Sequence, residues 1–180
     1  ICERNGFHII NLPVNLGIGG AVQTGYIYGI RYGYDMAVQV DGDGQHDAAF
    51  LQKMADCLEE TGADMVIGSR FQSTGARRIG IRFFTWLIRL MTGKTVTDPT
   101  SGLRMVNRKV MAEFAKDYPK DYPEPETAVT VLHCGMKIEE IPVVMKERAG
   151  GVSSISMKKS VYYMVKVSMA IIIERMRRRK

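Results

Sequence analysis

The stretch Met36-Ala37-Val38-Gln39-Val40 followed by Asp41-Gly42-Asp43-Gly44-Gln45-His46-Asp47 constrains this chain more than any other. Its first five residues predict a short, largely buried strand. They are mostly apolar, Val38 and Val40 are β-branched, and glycines end the run. Two carboxylates, an amide and an imidazole then fall just past the strand's carboxyl end, where ligands bind in open α/β sheets. Residues i and i+2 of an extended segment point the same way, so Asp41 and Asp43 can converge on one cation. Their oxygens, with that of Gln45, are hard donors suited to Mg²⁺ or Mn²⁺. Gly42 and Gly44 let the backbone turn tightly beside a bulky anion.

Two other readings compete for the same string. A calcium loop of the EF-hand type would need glycine at its sixth position and glutamate at its twelfth. His46 and Gln52 stand there instead. A plain surface turn would also use Asp and Gly, for geometry alone.

The string VQVDGDGQHD resembles the D-x-D segment of family 2 glycosyltransferases with the GT-A fold, in the branch similar to dolichyl- and polyprenyl-phosphate sugar synthases. Four further stretches match in order: Asn15 to Ala21 (NLGIGGA), Ile67 to Phe71 (IGSRF), Asp98 to Arg104 (DPTSGLR) and Arg148 to Ser154 (RAGGVSS). The resemblance implies an α/β fold, a Rossmann-like and mostly parallel sheet flanked by helices. It also implies that the first strand–helix–strand unit of the pattern, roughly forty residues by comparison with a βαβ unit, is absent. Nothing before His8 matches, and a domain lacking those strands should expose an unpaired strand edge. The expected division is a partial GT-A domain over residues 1–156 and a basic amphipathic helix over 157–180.

A chain of 180 residues suits one sizeable core. Its net charge of +6 is localised: residues 158–180 hold eight Lys or Arg against one acid, and the body is nearly neutral. Three scattered cysteines without a C-x-x-C argue against a disulfide framework or a zinc site and fit a reducing cytoplasm. No apolar run reaches the ~18–20 residues that span a bilayer.

In chain order, Ile1 to Gly6 predicts the end of a helix and His8 to Ile10 a short strand. Asn15 to Gly20 opens a helix whose inward face is Ile18, Ala21/Val22, Gly25/Tyr26 and Gly29/Ile30. Its glycines, Gly19 and Gly20, can receive a phosphate at the helix start or serve close packing. Asp47 caps a helix over 48–60 with Leu51, Met54, Ala55 and Leu58 inward. Ala63 to Ile67 is the next strand, ending at Gly68-Ser69-Arg70, where Arg70 pins the loop or meets an anion. Residues 72–80 read as a loop, and 80–92 as a strongly apolar helix. Asp98 to Gly102 is a turn, and Asn107 caps a helix to about Ala115. The prolines of 117–126 exclude regular helix and deliver Glu124 and Glu126 to a helix over 126–134. Lys137 to Lys146 alternates as a strand. Residues 158–180 form a helix that either lies on anionic lipid or docks in the core.

The resemblance assigns roles within this frame. Asp41, Asp43 and Gln45 hold the cation; Gly19, Gly20, Arg70, Ser101, Arg148 and Ser153 contact substrate. Asp98, Glu124 and Glu126 are the catalytic candidates. The expected activity is a metal-dependent, inverting transfer of a sugar from a nucleotide-diphosphate sugar. The acceptor is a polyprenyl phosphate in cell-envelope glycan synthesis, at the inner, cytoplasmic face of the membrane. Expected partners are the nucleotide sugar, the lipid phosphate, an anionic membrane surface and further copies in a homo-oligomer, without nucleic acid. The rival classes are a sugar-phosphate nucleotidyltransferase and a truncated, inactive membrane-surface binding remnant.

Overall fold

The computed structural model describes residues 2–70, 76–120, 123–146, 164–169 and 171–172. Strands β1 (Met36–Gln39), β2 (Met65–Ser69), β3 (Arg104–Asn107) and β4 (Ile138–Pro142) form one sheet in the order β1-β3-β2-β4. Strand β3 runs antiparallel to both neighbours, and β2 pairs parallel with β4, so β1, β2 and β4 share one direction. Every residue of β2 is buried, as its unbroken small and apolar sequence Met-Val-Ile-Gly-Ser demands.

The pleat sends alternate residues into two cores. On one side Met65, Ile67 and Val106 join Tyr26, Phe84, Ile88, Val110, Phe114 and Val129. These come from α1 (Gly17–Arg31), α3 (Ala76–Thr92), α4 (Arg108–Lys116) and α5 (Pro123–His133). On the other side Val66 and Met105 pack on Met54 and Leu58 of α2 (Ala49–Thr61). Val167 and Ile171 are also buried in the larger core, whereas Val165, Met169 and Ile172 are exposed. For these residues the core-docking reading of the tail helix holds on one face.

Several expectations change. His8 to Ile10 is not a strand, and Ile9 and Ile10 are exposed. A strand requires a neighbour for its N–H and C=O groups, and among the described residues none lies beside it. β1 is likewise an edge strand, with Val38 and Val40 exposed, so it is less buried than its sequence suggests. Ile18 is exposed on α1, whose buried residues are Gly19, Tyr26 and Gly29. The helix expected over 126–134 begins at Pro123. Its prolines sit in the first turn, where the missing N–H groups would have had no helical partner. Part of the loop expected over 72–80 is helix from Ala76, and β3 is a strand the sequence reading lacked. The cap at Asn107 is as expected: its Oδ1 accepts from Lys109 N–H (3.0 Å) and Val110 N–H (3.1 Å).

Candidate active site

The carboxyl end of β1 feeds the Asp41–Asp47 loop, and short hydrogen bonds give that loop its shape. Asp43 Oδ1 accepts from Gln45 N–H at 3.0 Å, and Asp47 Oδ1 accepts from Ala49 N–H at 3.0 Å, at the start of α2. Asp41 N–H donates to His46 Nδ1 at 3.2 Å. The chain just after β4 braces the loop from outside. Lys146 N–H donates to Gln45 O at 2.9 Å, and its ammonium pairs with Asp47 at 2.9 Å. The Ala49 N–H first, and Lys146 next, hold the Asp47 carboxyl below the usual range. Gln45 Nε2 reaches Lys146 O at 3.5 Å, so its amide faces that segment.

Asp98 to Gly102 forms the floor. Asp98 is 1% exposed and its carboxylate is held by Arg70. Arg70 Nε donates to Oδ2 at 2.9 Å, Arg70 Nη2 to Oδ1 at 3.3 Å, and Arg70 N–H to Oδ2 at 3.2 Å. Thr100 Oγ1 adds a bond to Oδ1 at 2.9 Å. Burial, the largest single influence, would raise the Asp98 pKa, but the Arg70 guanidinium, the Thr100 hydroxyl and the Arg70 N–H together outweigh it and the net shift is downward. The acid is therefore an ion-paired brace for the turn, and Arg70 takes the loop-pinning use weighed for it. Ser101 is buried too, its hydroxyl donating to Gly68 O at 2.6 Å.

At Gly102 the floor meets the D-x-D loop. A Cβ built there would lie 2.9 Å from Asp41 Oδ2, so this glycine leaves the space that the carboxylate occupies. Glu124, in the first turn of α5, is close enough to Asp41, Arg104 and Arg70 for all three to act on its charge. Burial raises its pKa most, Arg104 opposes, and Asp41 raises it further. The net effect is upward, favouring the protonated form relative to a free carboxyl. Glu126 lies two residues along the same helix, roughly 200° around its axis from Glu124.

Gly19 and Gly20 are not brought to these residues. Gly19 packs its Cα against the backbone of Pro119 and Lys120, and Gly20 against the Leu16 side chain, so their use is close packing. Arg148 and Ser153 lie outside the described residues.

Two site residues had no role in the sequence reading, and a third was seen without its partner. Arg104 is 2% exposed on β3 and donates to Ser101 O (2.8 Å), Pro99 O (2.7 Å) and Thr127 Oγ1 (2.7 Å), tying the floor to α5. Its signal was an arginine inside an apolar strand. Glu140 of β4 accepts from Thr97 N–H (2.7 Å), Thr97 Oγ1 (2.9 Å) and Asp98 N–H (2.9 Å). Nothing in its sequence neighbourhood pointed there. His46 was visible within the loop, but its bond to Asp41 was not.

The donors present fit a divalent cation. Asp41 and Asp43 supply hard oxygens, and Gly102 keeps room beside one of them. Among the described residues no group of three or more His, Cys, Asp or Glu forms a closed cage. One or two carboxylates completed by water and phosphate oxygens is the usual Mg²⁺ arrangement.

Known proteins resemble this chain in sequence and in fold. The polyprenol monophosphomannose synthase of Mycolicibacterium smegmatis is 27% identical over 170 residues, covering 87% of this chain and 62% of that protein. The undecaprenyl-phosphate mannosyltransferase of Micrococcus luteus is 28% identical, covering 86% and 67%. A dolichyl-phosphate beta-glucosyltransferase of Trichomonas vaginalis is 30% identical, covering 86% and 50%. The chain thus spans half to two thirds of the length of these relatives. In fold it matches the glucosyl-3-phosphoglycerate synthase of Mycobacterium tuberculosis, with a TM-score of 0.69 at 15% identity over 97% of this chain and 62% of that one. That likeness bears out the GT-A architecture expected from the motifs. The model of glycosyl transferase family 2 itself matches residues 1–114, most of the sheet and the whole D-x-D loop, and on that ground the chain belongs to glycosyl transferase family 2.

Proposed function

We propose that the chain is the catalytic part of a metal-dependent, inverting glycosyltransferase. It moves a sugar from a nucleotide-diphosphate sugar to a polyprenyl phosphate of the dolichyl type, in cell-envelope glycan synthesis. The observation that carries this reading is the meeting of Asp41, Gly102 and Glu124 at the carboxyl end of β1, in a family whose relatives are named for polyprenol, undecaprenyl and dolichyl phosphates. Asp41 and Asp43, with Gln45, would hold Mg²⁺ or Mn²⁺, which supplies charge stabilisation to a departing diphosphate. The chain's own residues do the rest. Arg104, Arg70, Asp98 and Glu140 lock the floor on which the sugar rests, so that the attacking oxygen meets it in one orientation.

A lipid phosphate is already anionic and attacks without proton removal, whereas a sugar hydroxyl requires a base. The first case requires no proton transfer to Glu124. Location at the inner face of the membrane rests on the basic tail, since no helix among the described residues is long and apolar enough to cross a bilayer.

The test is transfer of radiolabelled sugar from UDP- and GDP-sugars to undecaprenyl phosphate with Mn²⁺, read as label extracted into organic solvent. Transfer by the wild type, and its loss in Asp43→Asn with the fold intact, is the expected result. Pyrophosphate release from a nucleoside triphosphate and a sugar phosphate would identify a nucleotidyltransferase instead. Neither activity would leave the binding-remnant reading in possession.

A further inference from the structure

We propose that His46 is the positioning residue of the D-x-D loop: its Nδ1 accepts the Asp41 N–H and fixes the backbone from which the Asp41 carboxylate reaches a divalent cation. The inference rests on the metal reading above and extends it to a residue that is not itself a ligand.

The loop needs such a brace. Between Asp41 and His46 lie Gly42 and Gly44, the latter at φ +75°. Glycines lose more backbone freedom on ordering than other residues, so an unbraced loop of this composition is expensive to hold in one shape. The bonds of Asp43 to Gln45 N–H and of Asp47 to Ala49 N–H span only two residues each and set local turns. Lys146 steadies the far end, at Gln45 and Asp47. The His46 ring reaches back five residues to the first aspartate, at 3.2 Å. Gly102 then leaves the space in which the carboxylate so placed can sit.

The second ring nitrogen gives the stronger argument. A neutral imidazole that accepts at Nδ1 carries its proton at Nε2. Here Nε2 is buried and has no hydrogen-bond partner among the described residues. An unsatisfied buried donor costs stability, and a side chain needed only for packing would be better served by an apolar ring of the same size. The imidazole makes sense for the one thing a phenyl ring lacks, the Nδ1 acceptor. Partners that orient a metal-holding group typically govern affinity by roughly tenfold to a hundredfold when removed.

Two substitutions separate this role from packing. His46→Phe keeps a ring and removes the acceptor; His46→Asn restores an acceptor oxygen close to the Nδ1 position and removes the rest of the ring. The whole 180-residue chain is titrated with Mn²⁺ alone, following the signal of free Mn²⁺ by electron paramagnetic resonance, with thermal melting alongside. Long-range ¹H–¹⁵N spectra of the histidine rings, assigned by loss of one ring in H46N, read the tautomer directly. Expected are the Nε2–H tautomer at His46, about tenfold weaker Mn²⁺ binding in H46F without a lower melting temperature, and affinity close to wild type in H46N. An Nδ1–H tautomer overturns the proposal, as does H46F binding Mn²⁺ like the wild type. Equal losses in both variants also overturn it. If H46F does not fold, H46N decides: retained affinity supports the acceptor role and a tenfold loss refutes it. No Mn²⁺ uptake by the wild type would defeat the metal reading and this role together; uptake by wild type and H46F alike defeats this role alone.

Discussion

Asp98 and Arg70 show how a polar pair can be a structural part of a site. The carboxylate is nearly inaccessible, and the guanidinium side chain keeps only 16% exposure. Removing one partner of such a pair leaves the other buried and uncompensated, at about 3–5 kcal/mol. Asp98→Ala should therefore lower unfolding free energy by an amount in that range, measured by urea titration, and a loss below ~1 kcal/mol would mean that water reaches Arg70. Glu124 behaves oppositely. Burial lifts its pKa, with Arg104 opposing and Asp41 assisting. The folded protein thus keeps the proton over a range in which an unfolded carboxyl, at about 4.3, has lost it. The stabilisation from that proton is complete below about 4.3 and disappears as pH rises through the higher folded value. Glu124→Gln is neutral throughout, so its advantage in melting temperature over the wild type should be smallest at acid pH, grow as pH rises from about 4.3 through the folded value, and level off above it. A pH-independent difference would show that the carboxyl does not titrate in a buried setting.

Among the elements, α4 was the most legible. Asn107 stands before an amphipathic run, and its side chain satisfies two N–H groups that the first turn leaves unpaired. Asn107→Ala should cost about 1 kcal/mol by chemical denaturation, plus whatever its Nδ2 bond to Asp64 Oδ1 at 2.8 Å contributes. An unchanged midpoint would assign the cap to water. The start of α5 was misread because proline was weighed as a helix breaker without regard to position; in a first turn its missing N–H is no loss. His8 to Ile10 was misread for the converse reason. Apolar alternation states what a strand would bury, but pairing depends on a neighbour, and β1 presents an open edge.

At the scale of the molecule, the question of the tail divides by face. Ile171 is fully buried and Val167 nearly so in the core built by α1, α3, α4 and α5. Val165, Met169 and Ile172 lie on the exposed side, and the sequence around them carries eight basic residues. Ile171→Ala should cost about 2–5 kcal/mol and lower the single melting transition of the whole chain. Sedimentation with anionic vesicles should be salt-sensitive and weak with neutral vesicles, since each basic residue near an anionic surface contributes about 1 kcal/mol. Indifference to Ile171→Ala would detach the tail from the core; indifference to anionic lipid would leave it a packing element only.

The sequence by itself determined the family-bearing motifs, the strand-to-loop placement of Asp41 and Asp43, and the helices whose apolar spacing and caps are local. These are encoded within a few residues of one another, so periodicity and short-range hydrogen bonding suffice to read them. Only the tertiary structure decided that Asp98 braces Arg70, that Arg104 ties the floor to Thr127, and that Glu140 holds the 97–98 turn from another strand. Those partners are 23 to 43 residues apart, and a buried charge takes whatever partner the fold delivers to it. Gly102 and His46 lie between the two cases. Their residue types were in view, but the bond to the Asp41 N–H exists only in the folded loop after β1, and the room for its carboxylate only where that loop meets the turn before β3.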